Sequence, residues 1–194
     1  MFNLLGLGVG AIIGIVVGAV VLLLIVYIWA TYNSLIKKKN QVEEGFATMD
    51  VYLKKRYDLV PNLVETVKGY AKHEKDTLAE VIKLRNTATS ASTISDKVKA
   101  ENNFAQGLKS VFALAENYPA LKADTNFLNL QSQLQAVETD IANARKYYNA
   151  VVKEFNNAIQ VFPNSIIAKN HNFTRFEMFA VSDANERENV QVKF

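Results

Sequence analysis

The chain predicts an all-α membrane protein, in which an N-terminal transmembrane helix continues into an antiparallel bundle of long helices and ends in an extended C-terminal tail. Three observations carry this prediction. No Lys, Arg, Asp or Glu precedes Lys37; the chain from Lys37 onward holds all 22 Lys+Arg and all 19 Asp+Glu; and apolar residues in that polar part recur at three- and four-residue steps. The predicted divisions are residues 1–30 for the anchor with a short exterior end, 31–163 for the bundle and 164–194 for the tail.

The anchor comes first. From Phe2 to Ile28 only Asn3 and Tyr27 are polar, which accommodates the roughly 20 apolar residues that cross a ~30 Å hydrocarbon core as helix. A cleaved signal peptide would carry a basic start and a shorter apolar run, so the segment reads as retained. Gly6, Gly10, Gly14 and Gly18 recur every fourth position. A stripe without side chains lets two helices meet backbone to backbone in lipid, which predicts a homo-oligomer. The plainer reading is that glycine is common in membrane helices. Lys37, Lys38 and Lys39 follow directly, and a basic flank of this kind faces the cytoplasm and its anionic headgroups, leaving the N-terminus outside. The absence of cysteine is compatible with that side.

The first soluble helix continues from the anchor without Pro or Gly until Gly45, so the two read as one rod. Its seam is Tyr32, Leu35, Val42, Phe46, Met49, Leu53, Tyr57 and Val60. Pro61 removes a donor and disfavours helical geometry at Val60, which predicts a break near Asp58 to Pro61 with Asp58 capping the next helix. A partner-docking corner there is the functional alternative. That second helix is expected from Pro61 to about Thr87, and the Thr/Ser/Ala-rich stretch Asn86 to Ser95 reads as a linker, with Ser95 capping a third helix. The third helix buries Val98, Phe104, Leu108, Val111, Phe112, Ala115 and Tyr118 and ends at Pro119.

A fourth segment is a sustained heptad: Phe127, Leu134, Ile141, Tyr148, Phe155 and Phe162 fall seven apart, with Leu130, Val137, Ala144, Val151 and Ala158 between them. It predicts a helix of roughly 38 residues, about 57 Å long, packed at a shallow angle. After Pro163 a short helix and an extended tail are expected; Phe173, Phe176, Met178 and Phe179 require the tail to lie along the bundle or a neighbouring subunit. The alternation from Val190 to Phe194 permits a short strand.

Little here points to chemistry. A net charge of +3 without a basic block interleaved with aromatics gives no footprint for nucleic acid. His73-Glu74 opens like the helical zinc signature HExxH, but Thr77 stands where the second histidine is needed; His171 is the only other histidine, so neither metal nor cofactor is expected. No glycine-rich phosphate loop lies outside the apolar segment, and no GxSxG or cysteine nucleophile occurs, so the chain does not read as an enzyme. Arg56, Asp58, Glu116, Glu138 and Arg145 are candidates for a polar cluster in the bundle. Glu138 and Arg145 lie seven apart beside the seam, in reach of Arg56 or Asp58, and a half-buried polar layer sets alignment in bundles. Ligand binding is the alternative role.

The run from Met49 to Ala71, MDVYLKKRYDLVPNLVETVKGYA, followed by His73-Glu74, resembles the signature of the LemA family. So do Ala115-Glu116-Asn117-Tyr118-Pro119 with Leu121-Lys122-Ala123, the series Arg145, Tyr148-Asn149 and Asn156, Phe162-Pro163, and the terminal aromatic and Glu segment ending in Val192 and Phe194. The likeness covers nearly all of the chain after Tyr32 and departs at Phe176-Glu177-Met178-Phe179. It implies a bacterial inner-membrane protein with one N-terminal span and a cytoplasmic helical bundle, and one branch of the family is implicated in shaping membranes. The resulting expectation is a self-associating scaffold that organises or shapes the lipid bilayer. Its rival is an adaptor or regulator of a membrane protein partner, such as a protease or signalling protein.

Overall fold

The structure, a computed structural model, describes residues 8–179; Gly6 and the strand expected at Val190 to Phe194 lie outside them. The fold is all-α: α1 (Val9–Tyr70), α2 (Lys75–Ser90), α3 (Ile94–Ala115), α4 (Pro119–Lys122), α5 (Thr125–Ala158) and α6 (Asn164–Asn170).

The apolar segment and the first polar seam are one helix, as expected, but the break near Pro61 does not occur. Pro61 sits inside the 62-residue α1. Proline lacks the N–H that would bond the carbonyl of Tyr57, four residues back. Arg85 on α2 fills that role, its Nε–H donating to the Tyr57 carbonyl at 2.7 Å. With the freed acceptor satisfied, helix continues past the proline. Asp58 therefore caps nothing; it accepts from Lys54 at 3.0 Å, one turn back on the same helix. The actual end comes just after Gly69, a poor helix former, and a tight turn over 71–74 leads into α2. The second helix thus starts at Lys75 and not at Pro61.

The cap of α3 is Thr93, in place of the expected Ser95. Its hydroxyl accepts from the Asp96 backbone N–H at 3.1 Å and donates to the Asp96 carboxylate at 2.7 Å, a reciprocal capping arrangement. The third helix ends at Ala115 and not at Pro119; Pro119 instead opens α4, where the first helical position tolerates a missing donor. Asp124 then caps α5 by accepting from the Phe127 N–H at 2.8 Å and also receives the Tyr70 hydroxyl at 2.9 Å. The Phe127 N–H, and after it Tyr70, hold the Asp124 carboxyl below the usual carboxylate range.

The chain forms two compact units, and α1 and α5 contribute to both. The first is Met1–Glu43 with Lys153–Phe176. In it α1 and the returning chain run antiparallel, Lys38 pairing with Glu154 and Tyr27 donating to Asn164 at 3.0 Å. Leu35, Val42, Phe155, Ile159 and Ile167 are buried. Tyr32 packs on His171 with ring centroids 4.7 Å apart, and Phe155 on Phe176 at 5.3 Å. Asn156 holds the tail through its side-chain amide, accepting from the Phe176 N–H at 3.0 Å and donating to the Phe176 carbonyl at 2.9 Å.

The second unit is Glu44–Val152 with Glu177–Phe194. Its antiparallel register is read from three pairs: Phe46 meets Tyr148, Arg56 meets Glu138 and Tyr70 meets Asp124, each step forward on α1 matched by an equal step back towards the start of α5. Gly45 makes room for this packing, since a Cβ there would meet the Tyr147 ring at 3.4 Å. The heptad seam of Phe127, Leu130, Leu134, Val137, Ile141, Ala144 and Tyr148 is buried, each large side chain contributing about 1.5–3 kcal/mol. Beyond Tyr148 the expected Phe155 is still buried, but the positions between the heptad residues slip, because a 3.6-residue helix drifts about 20° per heptad against a seven-residue repeat. Val152 and Ile159 are buried where Val151 and Ala158 were expected, and Phe162 lies past the end of α5 and is exposed. In this unit Asn149 makes the same two amide bonds to Phe179, at 2.8 and 2.9 Å, and the Tyr148 hydroxyl donates to the Glu177 carbonyl at 2.9 Å.

Candidate functional site

The second unit holds a charge network in its core. Arg56 on α1 and Glu101 on α3 are both 0 % exposed. One Arg56 nitrogen donates to Glu101 and another to Glu138 on α5 at 2.6 Å. The Tyr57 hydroxyl also donates to Glu101, and Arg145, one heptad after Glu138, approaches the same carboxylate at 3.9 Å. Arg56 stacks over Phe104 with 5.1 Å from its guanidinium carbon to the ring centre, and Arg145 stands over Phe179 at the same distance.

The electrostatics are set by burial. The Tyr57 hydroxyl is pushed far up, first by burial and then by the Glu101 charge, so it stays a donor. Burial and then the Arg56 charge lower Arg145. Burial, with the Glu177 charge, pushes Tyr148 up to about 12. Arg56 and Arg145 oppose Glu101 and Glu138, so the charges offset one another. The Nε groups of both arginines find no acceptor among the described residues. A cavity of about 400 Å³ opens against Arg56 and Glu138, walled by Leu108, Phe112 and Leu134.

Of the expected cluster, the structure brings together Arg56, Glu138 and Arg145. Asp58 is engaged with Lys54, and Glu116 with Lys122 at 3.2 Å; neither joins the network. Glu101, its centre, was not among the expected residues. The signal was present: the stripe Ala115, Val111, Leu108 and Phe104 extends back by one step of three onto Glu101. His73 falls in the turn before α2 and is exposed, so it does not lie on a helical face.

The apolar part of α1 is the second feature. It is the one helix among the described residues long and apolar enough to cross a membrane, and the chain buries none of that stretch. A Cβ on Gly10, Gly14 or Gly18 would meet nothing within 4 Å. Next to it Lys37 is exposed, Lys38 pairs with Glu154, and Lys39 pairs with Glu43 at 3.5 Å.

Comparison with known proteins bears on the network. The model of the LemA family matches residues 45–194, which takes in Arg56, Glu101, Glu138 and Arg145. The chain belongs to the LemA family. It is similar to Protein LemA of Metamycoplasma hominis, with 23 % identity over 155 residues, 78 % of this chain and 69 % of that protein. The LemA match opens at Gly45, where α1 packs against Tyr147, and leaves out the apolar segment and the Lys37 to Lys39 flank.

Proposed function

We propose that this LemA-family protein is a membrane-anchored, self-associating helical scaffold that organises or shapes the bilayer. The observation that carries the reading is the uncovered apolar stretch of α1, whose residues from Val9 to Trp29 expose large side chains that water would not tolerate. Lipid on all sides resolves that exposure. The open stripe at Gly10, Gly14 and Gly18 supports self-association, because close backbone contact replaces the hydrophobic drive that lipid cannot supply. On this reading the protein is not an enzyme. Its buried charges neutralise one another, which suits the task of setting helix alignment.

The test is particle size of the full chain in mild detergent and in bilayer discs. Wild type is expected as a higher oligomer, and Gly10→Ile with Gly14→Ile, which keeps the span insertable, as a smaller particle. Unchanged size in the double variant would remove the stripe from the mechanism.

A further inference from the structure

The turn between α5 and α6 exposes Val161 and Phe162 at 52 % and 80 %, and the start of α6 exposes Ile166 at 55 %. Three large apolar side chains in so short a stretch form a patch of the kind that marks an interaction surface. The patch is held at a defined level of α1. Asn164, between Phe162 and Ile166, accepts the Tyr27 hydroxyl at 3.0 Å, and Tyr27 belongs to the apolar stretch itself, two residues before the exposed Trp29. Tyr and Trp gather where a membrane helix meets the headgroups. Lys37 on α1 and Lys169 at the end of α6 are exposed and supply positive charge suited to anionic headgroups.

We propose that the turn carrying Val161 and Phe162, with Ile166 at the start of α6, is a second membrane contact, a foot that inserts its apolar side chains at the interface beside the end of the span. This rests on the anchor reading: once α1 crosses the bilayer, a turn hydrogen-bonded to Tyr27 lies at lipid level. The occupant is the boundary between headgroups and acyl chains, where apolar faces of interfacial helices bury about 5–10 Å deep.

Trp29 is the sole tryptophan, which makes the test direct. The full chain is placed in vesicles of phosphatidylcholine and phosphatidylglycerol with brominated acyl chains. Wild type reports the anchor through Trp29. In a Trp29→Phe background, Phe162→Trp reports the foot, and Gln41→Trp, about 18 Å further along α1 at 1.5 Å per residue, is the control. The expectation is a blue-shifted emission and loss of intensity for the position 162 reporter comparable with that of Trp29, and neither for the position 41 reporter. Quenching of Trp29 without quenching at 162 overturns the foot and leaves the anchor standing. Absence of quenching at Trp29 overturns the anchor, and the foot with it. Phe162→Asp with Ile166→Asp, both at exposed positions, should keep the helical signal and abolish quenching of a tryptophan placed at Val161; retained quenching there also overturns the proposal.

Discussion

Glu101 has no exposed surface on which to solvate its charge, so its energy is decided by Arg56, Tyr57 and Arg145 around it. Removing one partner from a buried ion pair costs about 3–5 kcal/mol, because the other charge stays behind without water. Glu101→Ala should therefore destabilise the protein by that amount in denaturant unfolding. Glu116→Ala and Asp58→Ala, which break exposed pairs, should each cost less than about 1 kcal/mol. Equal losses at all three would deny the network its special place. Sequence reasoning reached Arg56, Glu138 and Arg145 because two of them lie a heptad apart beside an apolar seam. It passed over Glu101 because a carboxylate at a core position is legible only when its cation is known to be opposite, and Arg56 stands 45 residues away. Asp58 and Glu116 went the other way: nearby lysines, Lys54 and Lys122, offered local partners that the wider constellation could not outbid.

Among the elements, the unbroken α1 is the one that local rules argue against. Where it passes Pro61, Arg85 takes the Tyr57 carbonyl that the proline leaves without a donor. Arg85→Met leaves that acceptor without its partner, at a cost of about 1–3 kcal/mol. Pro61→Ala restores an N–H to the helix, so in that background Arg85→Met should cost less. A double-mutant cycle on unfolding free energies measures the difference, and strictly additive effects would show the bond to be incidental. The proline rule misled for a definable reason, since the compensating donor comes from another helix. The cap of α3 was misplaced because Thr93 and Ser95 both carry hydroxyls, and only the Asp96 side chain three residues on distinguishes them. The fourth helix was legible through Leu134, Ile141, Tyr148 and Phe155, which are buried as the repeat requires, and less so between them at its end, where accumulated drift moved burial to Val152 and Ile159.

At the scale of the whole chain, the fold class was legible because charge is confined to Lys37 and beyond and apolar residues recur there at helical steps. Topology is a separate question, and the LemA match begins only at residue 45. With Lys37, Lys38 and Lys39 after the span and no basic residue before it, the polar part should face the cytoplasm. Protease added to intact cells should spare it, and permeabilised cells should lose it; digestion without permeabilisation would invert the orientation. The tail's docking was legible in its aromatics, since Phe173 and Phe176 pack on Phe155 and Phe179 on Tyr148; the bonds that hold its backbone were not, because they are made to peptide groups, which every sequence has. Asn156 offers Phe176 one donor and one acceptor, and Asn149 offers Phe179 the same, the two bonds a neighbouring strand would provide. That clasp recognises main chain, while the Phe176 and Phe179 rings add packing on Phe155 and Tyr148. The exposed Glu177 and Met178 can therefore change without undocking the segment, whereas proline at 176 or 179 would remove the N–H that Asn156 or Asn149 accepts.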